Sequence, residues 1–179
     1  EVREALELFH AGGPVSAELA AFLAQELPGR RAELDPHVEA RLAGAEQLTA
    51  VEYLARLRRM ERMRRAASAR LEPFDLVAAP TVAITPPPLT ELADPGAYRR
   101  ANLAALRNTA VLSYLGACAV SLPVGLDRAG MPVGLQLALP GGGDDELLAL
   151  AASVEGVLGA PADRLGPPPA LRRGAGEGP

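Results

Sequence analysis

The chain has 179 residues, enough for one domain that buries a core. Apolar residues make up 49% and the net charge is −4, which places the chain among globular proteins and argues against a general polyanion binder. Aromatic residues make up 3% and tryptophan is absent, so the stacking surface that nucleic-acid binding needs is not supplied.

Residues 1–11 read as a helix, stopped by Gly12-Gly13-Pro14. Ser16 is placed to cap a second helix with Leu19, Phe22, Leu23 and Leu27 on one face, ended by Pro28-Gly29. Pro36 opens a short third helix that runs through Leu42. Thr49 and Glu52 stand at capping-box spacing, where each side chain satisfies the other's free backbone N–H. From there Val51, Leu54, Leu57, Met60, Met63, Ala67 and Leu71 recur at helical steps until Pro73. Arg56, Arg58, Arg59, Arg62, Arg65 and Arg70 mostly fall off that stripe. They read as a solvated face whose aliphatic stems cover apolar neighbours, without the wider basic footprint of a nucleic-acid binder.

Residues 74–81 then read as a short buried strand, and Pro86-Pro87-Pro88 holds 84–89 extended. Residues 98–115 read as a helix, 118–122 as a second strand and 132–137 as a third. Residues 109–126 carry no charge and approach membrane-spanning length. Their Ser, Thr, Gly and Pro content points instead to buried core, and no membrane partner is expected. Gly141-Gly142-Gly143 makes a hinge, and Asp144-Asp145-Glu146 gives the next helix its anionic first turn. Leu147, Leu150, Ala151, Val154 and Leu158 form that helix's apolar stripe. The expected division is one domain over 1–160 and a disordered Pro/Gly/Arg-rich tail over 161–179. No leader pattern opens the chain.

The strands are mostly apolar on both faces, so they call for helices on each side and further strands at their edges. Gly125 and Gly134 each follow Pro-Val, where a positive φ would suit a tight strand exit.

Candidate chemistry is sparse. Every basic residue is arginine, so neither a lysine base nor a Schiff-base lysine is available. Ser16, Ser68, Ser113, Ser121 and Ser153 all lack a nucleophile elbow. His10 and His37 have no catalytic context. Cys118, the single cysteine, excludes an intrachain disulfide and fits a reducing, cytoplasmic setting. Its alanine neighbours suggest a small buried hydrophobe. Asp144, Asp145 and Glu146 are contiguous, which suits a helix cap better than a metal site. No catalytic residue, metal site or cofactor is therefore expected within the chain.

Several blocks together resemble the C-terminal half of the amidase signature family. They are Arg41-Leu42…Gly44, Glu52-Tyr53-Leu54, Phe74-Asp75-Leu76…Pro80-Thr81 and Arg107-Asn108-Thr109. Two more are specific: Ser121-Leu122-Pro123-Val124-Gly125 and Gly130-Met131-Pro132-Val133-Gly134-Leu135-Gln136-Leu137, followed by the acidic-start helix. Members often carry proline where Cys118 stands. The resemblance implies an α/β fold, the C-terminal part of a mixed β-sheet flanked by helices. It also implies carboxamide hydrolysis through a serine acyl-enzyme with a Ser–cis-Ser–Lys triad, which would lie upstream of these residues.

The partners so implied are a small-molecule amide and the N-terminal half of the same enzyme; a second copy in a homodimer is a further candidate. By the same resemblance the segment from Arg107 to Gly116 lines the substrate, with Arg107, Thr109 and Leu112 as candidates; the alternative is that Arg107 pairs with an acid while the other two pack. Arg41 is the candidate for holding a substrate carboxylate through its planar fork. Three readings follow: part of a free-standing amidase, part of the A subunit of a tRNA amidotransferase, or a non-catalytic interaction module.

Overall fold

A computed structural model describes residues 1–166. Four helices come first: α1 (Val2–His10), α2 (Val15–Glu26), α3 (Pro36–Leu42) and α4 (Ala50–Leu71). Strand β1 (Val77–Pro80) and helix α5 (Pro95–Tyr114) follow. The chain then forms β2 (Ala117–Leu126), β3 (Pro132–Pro140), α6 (Asp144–Leu158) and the short α7 (Pro161–Leu165). The α/β class is as expected, and the three strands pair antiparallel in the order β1-β3-β2.

Side-chain caps set the starts of α3, α4 and α5. Asp35 accepts the His37 N–H with Pro36 in the first turn of α3. Thr49 and Glu52 close both bonds of the capping box on α4. Asp94 accepts the Ala97 N–H, so α5 begins at Pro95, ahead of the expected Tyr98. Ser16 does not cap α2. Pro14 has near-helical angles and its carbonyl already takes the Ala17 and Glu18 N–H groups, so the helix starts before Ser16 can act.

Two cores form. In the first, Ala5, Leu8, Met63 and Tyr114 join α1, α4 and α5. Arg59 ties α1 to α4 through Glu4 and Glu7. In the second, α6 lays Leu147 and Ala151 against Leu137 and Leu139, with Cys118, Val120, Leu122 and Leu135 around them. Alternation then sends Ala119, Ser121, Gly134 and Gln136 to the opposite face. That face is small and polar at these positions rather than apolar, and Ala119 and Ser121 are exposed on it.

The expected α4 stripe is only half used. Met63 and Ala67 are buried, whereas Val51 is 78% and Leu54 49% exposed. On α2, Leu23 is buried while Phe22 stays exposed.

The Pro-Val-Gly segments are not turns. Gly125 and Gly134 lie inside β2 and β3, and neither has positive φ. Their roles are different: β2 shifts register between Pro123 and Gly125, while Gly134 allows close approach of two side chains. The reversal between the strands is made by Asp127, whose Oδ1 accepts the Ala129 and Met131 N–H groups, and by Gly130 at φ 77°. The glycines at 141–143 form a tight turn with Gly142 at φ 93°. The expected tail begins differently, since α7 is helical and its Arg164 bonds the Pro123 and Val124 carbonyls. Residues 167–179 of that tail lie outside the described residues.

Candidate substrate-facing site

The C-terminal end of β1 is where polar side chains converge. The Thr81 N–H donates to the Gly134 carbonyl at 2.8 Å, extending the β1–β3 pairing by one bond. Its hydroxyl lies 2.5 Å from the Ser121 hydroxyl. The two meet above Gly134, where an added Cβ would sit 2.6 Å from each oxygen. Asn108 on α5 donates its amide N–H to the Pro80 carbonyl at 2.7 Å and so fixes that helix against the strand end. Gln136, two residues along β3, is buried opposite Ser121 and Ala79.

The hairpin turn adds a charged group. The Thr85 hydroxyl donates to Asp127 at 2.6 Å. That bond, with the Met131 and Ala129 N–H groups behind it, holds the Asp127 carboxyl below its ordinary range against a smaller desolvation effect.

The residues expected to touch substrate occupy two places rather than one. Arg107 is exposed, with no acid beside it among the described residues, next to the Asn108 anchor. Thr109 turns its hydroxyl back to the Leu106 carbonyl at 3.1 Å, so its hydrogen is spent inside the helix. Leu112 is half-buried on the same helix.

Arg41 lies elsewhere, at the end of α3, beside a cleft of about 250 Å³ shared with Ser16, Gln47, Glu52 and Arg56. Arg56 binds the Ala11 and Gly13 carbonyls there, which leaves Arg41 as the uncommitted guanidinium on that rim. One turn before Arg41, His37 stacks on Tyr98 at 4.1 Å. Arg107 is nine residues beyond Tyr98 along α5, about 13 Å at the helical rise, so the two arginines serve separate places.

Other candidates are committed to packing. Cys118 faces α6 with its sulfur 3.6 Å from the Leu139 carbonyl. His10 packs on Phe9 and His37 on Tyr98. Thr81, Asn108, Ser121 and Gln136 all stand in the family-like blocks of the sequence, yet none of them is among the residues expected to touch substrate. The available clue was a single polar side chain, Ser121 or Gln136, inside each of two otherwise apolar strands. No helix among the described residues is long and apolar enough to cross a membrane.

A model of the amidase family matches residues 12–148. The chain is 39% identical to a 2-amino-5-chloromuconic acid deaminase of Comamonas testosteroni, over 92% of this chain and 36% of that protein. It is 34% identical to a 6-aminohexanoate-cyclic-dimer hydrolase of Paenarthrobacter ureafaciens, over 48% of this chain and 19% of that protein. A solved amidase structure superposes with a TM-score of 0.67 and 29% identity, over 81% of this chain and 34% of that one. The chain therefore spans about a third or less of the length of these relatives.

Proposed function

Because the chain belongs to the amidase signature family, we propose that it is the C-terminal part of a hydrolase that cleaves carboxamide C–N bonds. The observation that carries this reading is the family match over residues 12–148 in a chain that corresponds to 36% of its deaminase relative. In the proposed division of labour the remaining part supplies the nucleophile, the proton relay and the oxyanion donors. A serine acyl-enzyme forms and is hydrolysed, with no metal or cofactor. These residues form one wall of the substrate pocket. The absence of lysine supports that division, because the family's relay lysine must then lie outside this sequence.

The exposed Val15, Phe22, Val51 and Leu54 support it too, as surface for the rest of the enzyme to cover. The other partner in this reading is the amide substrate, in the cytoplasm; a homodimer is a further arrangement. The deaminase and cyclic-dimer hydrolase relatives favour a free-standing enzyme over an amidotransferase subunit.

Arg41 supports a substrate that carries a carboxylate. Its fork is uncommitted and opens on the cleft. The test is ammonia release by the full-length enzyme from carboxamides with and without a carboxylate. Arg41→Leu should raise KM for the carboxylate-bearing amides alone. No ammonia from any amide would defeat the reading.

A further inference from the structure

Residues 30–52 contain five acids, and each has a partner. Arg30 donates to Glu33 at 2.6 Å. Asp35 accepts the His37 N–H at the start of α3. Glu52 accepts the Thr49 N–H and hydroxyl in the capping box. The remaining two share one guanidinium. Arg31 donates through Nε and Nη2 to Glu39 Oε1, at 3.3 and 3.2 Å, and through Nη1 to Glu46 Oε1. Its planar fork serves both carboxylates at once.

The arginines of the same segment divide differently. Arg30 and Arg31 are spent in these pairs, whereas Arg41 meets no acid among the described residues and lines the cleft. That freedom depends on Arg31. Glu39 stands two residues before Arg41, and Glu46 stands between Ala45 and Gln47, which line the cleft with Arg41. With Arg31 removed, those two carboxylates become the nearest unpaired acids to Arg41 along the chain. An ion pair with either would occupy the fork that a substrate carboxylate needs. The wall itself has other supports. Leu42 is 2% exposed and anchors the end of α3, while the Ala43, Gln47 and Leu48 N–H groups bond locally to the Ala40, Gly44 and Ala45 carbonyls.

We propose that Arg31 is a positioning residue for substrate binding: it holds Glu39 and Glu46 away from Arg41 and so leaves that guanidinium open to a substrate carboxylate. The inference rests on the carboxylate reading of Arg41 above and adds the residue on which that binding depends.

The test uses the full-length enzyme with a dicarboxylic acid monoamide and the methyl ester of that monoamide, which share the amide to be cleaved. Arg31→Met should raise KM for the monoamide by about two- to fivefold, the factor that an exposed ion pair supports, with kcat unchanged and the ester unaffected. Neutralising both acids as well, in Arg31→Met/Glu39→Gln/Glu46→Gln, should return KM to the wild-type value, because no freed carboxylate remains. Glu39→Gln/Glu46→Gln alone should leave KM at or below that value. An unchanged KM in Arg31→Met, an equal rise on both substrates, or loss of its fold overturns the proposal. So does a triple variant that stays impaired, or a double variant as impaired as Arg31→Met; either would make the Arg31 pairs a structural clamp. An Arg41→Leu enzyme with unchanged KM for the monoamide defeats the carboxylate reading itself, a distinct result.

Discussion

Gly134 and Gly125 occupy equivalent places in the two Pro-Val-Gly segments, yet alanine should act oppositely at them. At Gly134 an added Cβ falls 2.6 Å from Ser121 Oγ and Thr81 Oγ1 and 3.1 Å from Thr81 Cβ, where ordinary contact begins at 3.4 Å. The serine hydroxyl can rotate away. Thr81 has less freedom, because its N–H is bonded to the Gly134 carbonyl at 2.8 Å. Overpacking of this kind costs about 1–3 kcal/mol. For a domain of this size each kcal/mol moves the melting temperature by about 2–4 °C, so Gly134→Ala should lower it by about 2–12 °C.

At Gly125 nothing lies within 4 Å of the added carbon and φ is not positive. Gly125→Ala should range from neutral to a gain of about 1 kcal/mol, through the unfolded chain's reduced freedom. Thermal unfolding of both variants, followed by circular dichroism, reads the difference. Equal shifts, or a larger loss at Gly125, would refute the claim that one glycine is needed for space and the other is not.

Other perturbations probe the hairpin and the C-terminal helix. The folded-state pKa of Asp127 is lowered, chiefly by the Thr85 hydroxyl. Its contribution to stability is therefore present above the unfolded carboxylate pKa and lost as pH falls through the lowered value. The stability difference between wild type and Asp127→Asn should shrink between roughly pH 5 and pH 2, as denaturant titrations at stepped pH would show. Arg164 donates to the Pro123 and Val124 carbonyls at 2.9 and 3.2 Å. Arg164→Ala should speed amide hydrogen exchange across Pro161–Leu165 while the β2–β3 ladder stays protected; unchanged exchange in α7 would show that the clamp is idle.

Helices were legible where side chains cap the backbone. Thr49, Glu52 and Pro36 announce α4 and α3 because those bonds are local in sequence. The start of α2 was misread because proline's fixed φ lets a helix begin without a side-chain cap. The strands were legible as apolar runs, but pairing was not. Antiparallel register puts Ser121 opposite Gln136 and Thr81 beside Gly134, and those neighbours are 15 or more residues apart in the chain. The site followed the same rule. Asn108 acquires meaning only once α5 reaches the Pro80 carbonyl, Thr81 only once β1 meets β3, and Arg41 separates from Arg107 only once α3 meets α5 at the His37–Tyr98 stack. The exposed half of the α4 stripe was invisible for a different reason: periodicity reports an apolar face, not whether anything in the chain covers it.

The central claim is that these residues form a wall of an amidase pocket and do not themselves contain its nucleophile. It is tested most directly by measuring ammonia release from carboxamides with two preparations. One is the 179-residue chain alone. The other is the same chain joined to an N-terminal amidase region that carries the Ser–cis-Ser–Lys triad. The account predicts no turnover above blank from the first and turnover from the second. Hydrolysis by the chain alone, or none by the joined protein, would contradict it.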